Sequence, residues 1–292
     1  MTNRPLVTVI VVAFNRPEML ARALRSVLSQ TYRDLEVLVI DDGSSIDLAP
    51  TVAAIHDPRI SYHKRSLNLG LSGARNRGME LARGSYIALL DDDDEWRPEK
   101  LEKQVRDLQR REEAYRLSYT LRDVLNDQSG QLVERACFQG EGDILEKLMY
   151  NELLETPSSW LLEADALREI GGFTVGITWG EDWDFLLRYA QKYKVALVPE
   201  RLILKHEHGG VRLSTNLDGQ RRMVDSLSMI LSNNRALFRS HPKARSALLV
   251  NLAYYQGTVG DRSAARQTAI RAILAFPFWA SPYFSAAMAF KR

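Results

Sequence analysis

Strands and helices alternate through the first 90 residues, and this alternation limits the fold more than any other feature of the chain. Leu6–Phe14 is apolar and rich in β-branched residues, which is typical of a strand buried on both faces. Pro17 then suits the first turn of a helix, and Glu36–Ile40 repeats the strand pattern. A helix at about 72–82 and a strand at 85–90 continue the series. The spacing predicts an α/β fold in which helices wind around a parallel sheet.

Polar side chains follow three of these predicted strands. They are Asn15-Arg16, Asp41-Asp42 and the run Asp91–Asp94. Ligands of wound α/β sheets bind outside the carboxyl ends of the strands, so the three groups are expected at one rim of the sheet. The sequence therefore predicts a binding site there.

The aspartate run needs a positive partner, because four adjacent carboxylates repel one another. Asp91 and Asp93 are one residue apart, so on an extended chain they point the same way, while Asp92 faces another group. Mg²⁺ and Mn²⁺ are commonly bound by one or two carboxylates together with substrate phosphates. An EF-hand would require glycine where Trp96 stands, and the adjoining buried strand disfavours a simple solvated loop. We therefore expect a divalent metal that holds a diphosphate.

The second half of the chain follows a different pattern. Gly171-Gly172 ends a helix that begins near Asp165, and short strands are predicted at Val195–Val198 and Arg201–Leu204, on either side of Pro199. From Asp218 onward the pattern is helical.

Charge is unevenly distributed along the 292 residues. The formal net charge of +2 is too small to indicate a nucleic-acid partner, but residues 235–292 hold nine basic residues and one acid. The rest of the chain is acidic, and this division into an acidic part and a basic C-terminal part suggests two separate functions. The single cysteine, Cys137, excludes an internal disulfide, and the apolar start lacks a cleavage region, so we expect a cytoplasmic protein.

Several motifs together resemble family 2 of the glycosyltransferases. They are VTVIVVAFNRPEMLARALRSVLSQTYRDLEVLVIDDGSS, then NLGLSGARNRGMELARGSYIALLDDDDEWRPEKL, LREIGGF and GEDWDFLLR. The resemblance covers roughly residues 5–215. It implies a GT-A fold, a Rossmann-like mixed sheet flanked by helices, and transfer from a nucleotide-diphosphate sugar with inversion at the anomeric carbon. It further implies a glycosyltransferase domain at 1–215, with a nucleotide-binding half at about 1–100 and an acceptor half at about 101–215. A helical, basic extension would occupy 216–292.

Residue roles follow from the same resemblance. The implied nucleotide-binding residues are Ala13, Phe14, Asn15, Arg16, Asp41, Asp42, Arg75, Asp91 and Asp92. The implied metal ligands are Asp91, Asp93 and His208, with Mn²⁺ or Mg²⁺ as cofactor. Asp182 matches the base that takes the acceptor proton, and the implied acceptor contacts are Gly172, Trp179, Glu181 and Trp183. Structural explanations stay open: a capped turn at Asp42, a surface arginine at Arg75, a helix start at Glu181-Asp182, core tryptophans and surface histidines.

The implied function is transfer from a nucleotide sugar, with UDP-sugars favoured, to a glycan or lipid-linked acceptor in cell-surface glycan synthesis. A nucleotidyltransferase and a non-catalytic nucleotide-sugar binder remain alternatives. The prolines Pro277 and Pro282 interrupt the uncharged stretch 272–290, so a spanning helix is not expected there. The aromatic residues of this stretch and the nearby arginines favour peripheral attachment to anionic lipids at the inner face of the cell membrane. Packing onto the catalytic domain, or onto a second copy in a homodimer, is the alternative for this tail.

Overall fold

Two compact units make up the chain. The computed structural model describes residues 5–133, 140–150, 154–207 and 217–278. The first unit contains residues 1–145, 153–175 and 189–209, and the second contains 146–152, 176–188 and 210–292. The division into a domain at 1–215 and an extension at 216–292 stays a prediction.

A single mixed sheet forms the first unit. Within the described residues its nine strands are β1 (Val7–Ala13), β2 (Leu35–Asp41), β3 (Ile60–Lys64), β4 (Tyr86–Asp91), β5 (Asp94–Trp96), β6 (Tyr115–Asn126), β7 (Leu132–Val133), β8 (Leu161–Glu163) and β9 (Lys194–Glu207). The strand order is β3-β2-β1-β4-β8-β6-β9-β5, and β7 pairs with β6. The first four strands run parallel, and β8 then pairs with β4 in the antiparallel direction. The predicted wound, mixed α/β sheet is confirmed.

The register of the central strands brings the polar strand ends together. β1 lies between β2 and β4, with Ala13 opposite Asp41 and Val12 opposite Asp91. All residues of β1 and β2 are buried, as expected for apolar strands covered on both faces. The predicted common rim for these strand ends is therefore present.

Helices cover the sheet and form most of the second unit. In the described residues they are α1 (Pro17–Leu28), α2 (Ala49–Ala53), α3 (Gly70–Leu81), α4 (Lys100–Leu108), α5 (Leu145–Met149), α6 (Ala164–Ile170), α7 (Glu181–Tyr189), α8 (Leu217–Asn233), α9 (Arg235–Ser240), α10 (Pro242–Thr258) and α11 (Arg262–Ala275). α1 buries Leu20, Ala23, Leu24 and Val27 in the core cluster that includes β1 and β2. This is the apolar stripe that the helical period predicts.

β9 is one long strand, so the prediction of two short strands around Pro199 is wrong. Its pairing with β6 changes register where Thr120 faces Val198 and Leu121 faces Arg201, which leaves Pro199 and its neighbour outside the ladder. A bulge tolerates proline, because the ladder needs no N–H donor at that point.

The segment Ser158–Leu162 is strand-like in sequence, but only its last two residues enter a strand. A 3-10 turn at Pro157–Ser159 precedes β8, which is only three residues long. The turn matters for the site, because it presents the Ser158 hydroxyl to the backbone of β4.

In the second unit, α8, α10 and α11 pack through small and aliphatic side chains, including Ala253 against Ala269. None of the helices in the described ranges has the length and apolarity required for a membrane span.

Candidate functional site

Three carboxylates converge where β4 ends and β5 begins. Asp91, Asp93 and Asp94 each offer an oxygen, and these atoms lie within 4.8 Å of one another. The structure thus brings Asp91 and Asp93 together, through a turn at Asp92-Asp93 and not through the expected extended chain, and it adds Asp94, which sequence reasoning missed. Oxygen donors in this arrangement suit a hard divalent cation.

Asp91 is held by a buried arginine. Nη2 of Arg75 donates to Oδ1 of Asp91 at 3.0 Å, and the Asp91 backbone N–H donates to Oγ of Ser158 at 3.1 Å. Burial disfavours the charged form of Asp91, but the positive charges of Arg75, Lys205 and Arg16 outweigh it and lower the pKa of Asp91 below its usual value. Asp91 is therefore a carboxylate at neutral pH.

Asp92 contacts the loop after β1 and shares Arg16 with Asp93. The backbone N–H of Phe14 donates to Oδ2 of Asp92 at 3.1 Å, and Arg16 Nη1 contacts Oδ1 at 3.1 Å and Asp93 Oδ2 at 2.8 Å. Burial raises the pKa of Asp92 to about 7, with the Phe14 N–H and Arg16 opposing the shift and the charges of Asp93 and Asp91 adding to it. Asp92 thus joins the end of β1 to the aspartate run.

Asp94 is the most buried of the four aspartates. Its side chain has no exposed surface, Lys205 Nζ lies 3.9 Å from Oδ1, and the Ser158 hydroxyl also interacts with the carboxylate. Burial raises the pKa of Asp94 to about 6, with Lys205 opposing the shift and the Asp91 and Asp93 charges adding to it. Buried polar groups in native proteins are normally satisfied, so these oxygens suit an additional positive partner.

The loops after β1 and β2 are tied together by Asn15. Its backbone has a φ of 58°, its N–H donates to Ser44 Oγ at 2.9 Å, and its side-chain oxygen accepts from the N–H groups of Ser45 (2.8 Å) and Ile46 (3.1 Å). Phe14, by contrast, is 42% exposed. Asn15 therefore shapes the rim, and Phe14 is available to a ligand.

Asp41 and Asp42 are buried and bind neighbouring loops. Asp41 accepts from the Ser44 N–H at 2.8 Å and from the Tyr62 hydroxyl at 2.5 Å, and burial followed by that carboxylate raises the pKa of Tyr62. Asp42 Oδ1 accepts from the Leu69 N–H at 3.1 Å and lies 3.3 Å from Arg65 Nη1. Burial raises the pKa of Asp42 above its usual value, against the pull of these two donors. Both residues hold the rim loops in place.

Arg75 is only 1% exposed, and it lies beside the predicted acceptor turn. Its guanidinium carbon lies 5.1 Å from the centroid of the Phe173 ring, a cation–π distance. Asn76 clamps the same turn, since its amide donates to the Phe173 carbonyl (2.7 Å) and accepts from the Phe173 N–H (2.8 Å). Gly172 is required here, because its φ is 70° and a Cβ would lie 2.6 Å from Asn76 Oδ1.

The histidine proposed as a metal ligand, His208, lies outside the described residues. His206 is 6% exposed, and its ring nitrogens lie 2.6 Å from Asp127 Oδ1 and 2.7 Å from Glu95 Oε1. His206 therefore links two carboxylates.

The predicted base lies in the second compact unit, at the start of α7. Asp182 and Glu181 are half-buried in its first turn, and Oδ1 of Asp182 accepts from the Trp183 N–H at 2.8 Å. The preceding loop is fixed to α8, because the N–H groups of Thr178 and Trp179 donate to Ser226 Oγ at 3.3 and 3.2 Å. Trp179 itself is half-buried.

Trp183 has a different environment. It is 2% exposed, and its indole N–H donates to the Leu148 carbonyl at 2.6 Å. Stacking on a sugar would require a ring face that this position does not expose. Asp184 is fully buried as well, and it accepts from the amides of Asn233 (3.2 Å) and Asn234 (3.1 Å). Both residues stabilise α7.

Comparison with known proteins relates this geometry to a family. The sequence model described as "Glycosyl transferase family 2" matches residues 8–171. The chain is 43% identical over 101 residues to "Succinoglycan biosynthesis protein ExoO" of Rhizobium meliloti (strain 1021), which is 35% of this chain and 29% of that protein. It is 38% identical over 100 residues to "UDP-Glc:alpha-D-GlcNAc-diphosphoundecaprenol beta-1,3-glucosyltransferase WfaP" of Escherichia coli, covering 34% of this chain and 40% of that one. The chain thus spans less than half the length of either relative.

A solved structure shares the fold. The crystal structure of S. aureus TarS 1-349 in complex with UDP-GlcNAc matches with a TM-score of 0.65 and 15% identity, over 97% of this chain and 90% of that one. At this identity the likeness shows the fold alone, and it confirms the expected glycosyltransferase fold.

Proposed function

Since the chain belongs to glycosyl transferase family 2, we propose that it transfers a sugar from a nucleotide-diphosphate donor to an acceptor hydroxyl, with inversion at the anomeric carbon. The observation that carries this proposal is the convergence of Asp91, Asp93 and Asp94 within 4.8 Å at the rim formed by β1, β2 and β4. Carboxylates gathered at the carboxyl ends of parallel strands suit a metal–diphosphate ligand.

The aspartate cluster fits a divalent cation, Mn²⁺ or Mg²⁺. Asp91, Asp93 and Asp94 would hold it, with His208 as the predicted fourth ligand. The fit rests on Asp94, whose buried carboxylate is 3.9 Å from its ion-pair partner Lys205 and lies close to the carboxylates of Asp91 and Asp93. When bound, such a cation neutralises negative charge on a departing diphosphate.

The nucleoside would lie along the rim loops. Phe14 and Arg16 are exposed in the loop after β1, and Ala13 contributes its backbone to the loop junction, where its carbonyl accepts from the Asp42 N–H at 3.0 Å. Asp41, Asp42 and Asn15 keep these loops in shape, Asp92 fixes the β1 loop to the aspartate run, and Arg75 positions Asp91. UDP is the favoured nucleotide, in line with the UDP-GlcNAc bound to TarS.

Asp182 would act as the general base. Its carboxylate takes the proton of the acceptor hydroxyl while that oxygen forms a bond to the anomeric carbon, and the bond to the diphosphate oxygen breaks with its electrons leaving on the diphosphate. Glu181, Trp179 and Gly172 would contact the acceptor. A lipid-linked acceptor in cell-surface glycan synthesis is favoured, since the name of WfaP includes a diphosphoundecaprenol acceptor. Location at the inner face of the cell membrane and a homodimer stay predictions.

Nucleotide release from UDP-, GDP- and dTDP-sugars with Mn²⁺, measured together with thermal stabilisation by UDP and Mn²⁺, tests the proposal. Asp182→Asn should keep the stabilisation and lose turnover by a factor of roughly 10²–10⁴, the usual contribution of a general base. Asp93→Asn should lose both, because it removes a ligand for the diphosphate metal.

The control is Asp165→Asn, which changes a side chain that is 86% exposed and should leave both measurements unchanged. Wild-type protein that binds UDP without releasing nucleotide from any sugar would support the non-catalytic binder instead. Full turnover in Asp182→Asn would contradict the assignment of the base.

A further inference from the structure

A pocket in the second compact unit is lined by four arginines. It has a volume of about 310 Å³ and lies among α8, α9, α10 and α11. The lining arginines are Arg235, Arg239, Arg245 and Arg271. Two come from α9 and one each from α10 and α11, so residues far apart in sequence supply one concentrated positive charge.

These guanidinium groups have no acidic partner among the described residues. No carboxylate lines the pocket, and no ion pair or side-chain hydrogen bond to any of the four occurs in the part of the chain that the structure describes. Other arginines of the described residues do form ion pairs, as Arg188 does with Asp184 at 3.0 Å. Four like charges repel one another, and an anion that enters between them removes that repulsion.

The pocket offers both the size and the donors for a phosphate group. Each guanidinium presents several N–H donors in a planar fork that matches phosphate oxygens. The floor is apolar, since Phe238 and Leu252 line the pocket and are 0% and 3% exposed. A volume of about 310 Å³ exceeds what a single small ion would fill.

Exposed apolar surface continues from the pocket along α11. Leu274 lies one helical turn after Arg271 and is 76% exposed. A cationic pocket beside an exposed apolar side chain matches a molecule with an anionic head and a hydrocarbon chain.

We propose that this arginine pocket binds the phosphate of an anionic headgroup and thereby holds the helical unit at a lipid surface. The proposal does not depend on sugar transfer, because none of the pocket residues belongs to the candidate active site. It goes beyond the predicted attachment through the tail aromatics, since it locates recognition in four arginines of α9, α10 and α11.

Sedimentation of the full-length protein with vesicles tests whether the bound phosphate belongs to a lipid headgroup. Vesicles of phosphatidylcholine with about one-third phosphatidylglycerol should bind the protein, and pure phosphatidylcholine should not. Arg239→Gln combined with Arg271→Gln should weaken binding about fivefold for each neutralised arginine. The matched control, Arg110→Gln combined with Arg262→Gln, removes the same charge from exposed sites outside the pocket and should bind like wild type.

Thermal stabilisation by inorganic pyrophosphate tests whether the pocket binds a soluble phosphate ligand instead. A pyrophosphate-induced shift that the pocket pair loses and the control pair keeps, without vesicle binding, would support the phosphate site and exclude a lipid as its ligand. Equal loss of vesicle binding in the pocket and control pairs would show diffuse charge attraction and overturn the proposal. Wild-type protein that binds neither probe would overturn it as well.

Discussion

Lys100 is a lysine whose side chain is shielded from water. It is fully buried at the start of α4, its Nζ lies 4.1 Å from the centroid of the Trp96 ring, and this nitrogen has no hydrogen-bond partner among the described residues. Burial lowers the pKa of Lys100 well below its ordinary value of 10.5. Between the lowered pKa and about 10.5, the unfolded chain holds a proton that the native state has lost. The free energy of unfolding therefore rises with pH across this window.

Replacing this amine with a thioether of similar length should stabilise the protein. We expect Lys100→Met to raise the free energy of unfolding by about 1–3 kcal/mol at pH 7.5, because the variant no longer buries an amine that lacks a hydrogen-bond partner among the described residues. The gain should shrink at pH 10, where the unfolded lysine also begins to lose its proton. Urea denaturation at the two pH values measures both quantities.

Lys243→Met provides the control, since Lys243 is exposed at the start of α10 and should change the free energy of unfolding by less than about 1 kcal/mol at both pH values. A variant at Lys100 that is less stable than wild type at pH 7.5, by a margin that grows with decreasing pH, would mean that a charged Lys100 stabilises the fold.

The convergence of Asp91 and Asp93 agrees with the sequence prediction, but the extended chain from which it was argued is absent, because Asp92 and Asp93 form a turn between β4 and β5. The alternation of side chains predicted that Asp91 and Asp93 face one way and Asp92 another. Asp94 was missed because its role depends on β5, a three-residue strand that pairs with β9 more than 100 positions later. A signal was available, since Asp94 alternates with the apolar Trp96, and both are buried on one face of β5.

At the scale of elements, apolar strands and helix signals were sufficient for the parallel half of the sheet. β1, β2 and β4 are continuous apolar runs, and Pro17 and Gly171 mark a helix start and a helix end. β9 was split in two because the sequence shows Pro199 but not the bulge that accommodates it. Errors of this kind arise when pairing with a strand far away in sequence, here β6, decides whether a segment continues as one strand.

Close packing of α3 on β1 depends on a glycine inside the helix. A Cβ added at Gly78 would lie 2.4 Å from Cγ2 of Ile10 and 2.9 Å from two further atoms of that side chain. We expect Gly78→Ala to lower the free energy of unfolding by about 1–3 kcal/mol, because Ile10 or the helix must move in a tightly packed core. Thermal or urea denaturation measures the change.

Gly257 is the matched comparison, since it also lies inside a helix, α10, but a Cβ there would meet no atom within 4 Å. Gly257→Ala should stabilise the protein by up to about 1 kcal/mol through the higher helix propensity of alanine. The two alanine substitutions therefore have opposite expected signs. A stabilising Gly78→Ala would show that the contact between α3 and β1 is looser than these distances require.

For the whole molecule, the buried acids at the sheet rim oppose stability at neutral pH. Burial raises the pKa of Asp92 to about 7 and that of Asp94 to about 6, and it raises the pKa of Asp42 as well. The unfolded value is 3.8 for each, so between about pH 4 and 7 the native state binds more protons than the unfolded chain. These groups make the stability of the ligand-free protein fall as pH rises through that range. The amino-acid sequence and the net charge could not predict this fall in stability, because the raised pKa values arise from burial and from the proximity of like charges.

A metal and a nucleoside diphosphate should reverse this trend, since a cation binds the ionised carboxylates and releases their protons. We expect the increase in Tm caused by UDP with Mn²⁺ to be larger at pH 7.5 than at pH 5.5, with apparent affinity changing by up to about tenfold per pH unit for each proton released. Ionisation of UDP contributes a pH dependence of its own, and it affects every variant equally. Asp94→Asn removes one of these buried carboxyls and should flatten the difference between the two pH values, whereas Asp165→Asn, at an 86% exposed side chain, should keep it. If both variants retain the wild-type difference, the buried acid of β5 takes no part in holding the cation, and Asp91 and Asp93 must do so without it.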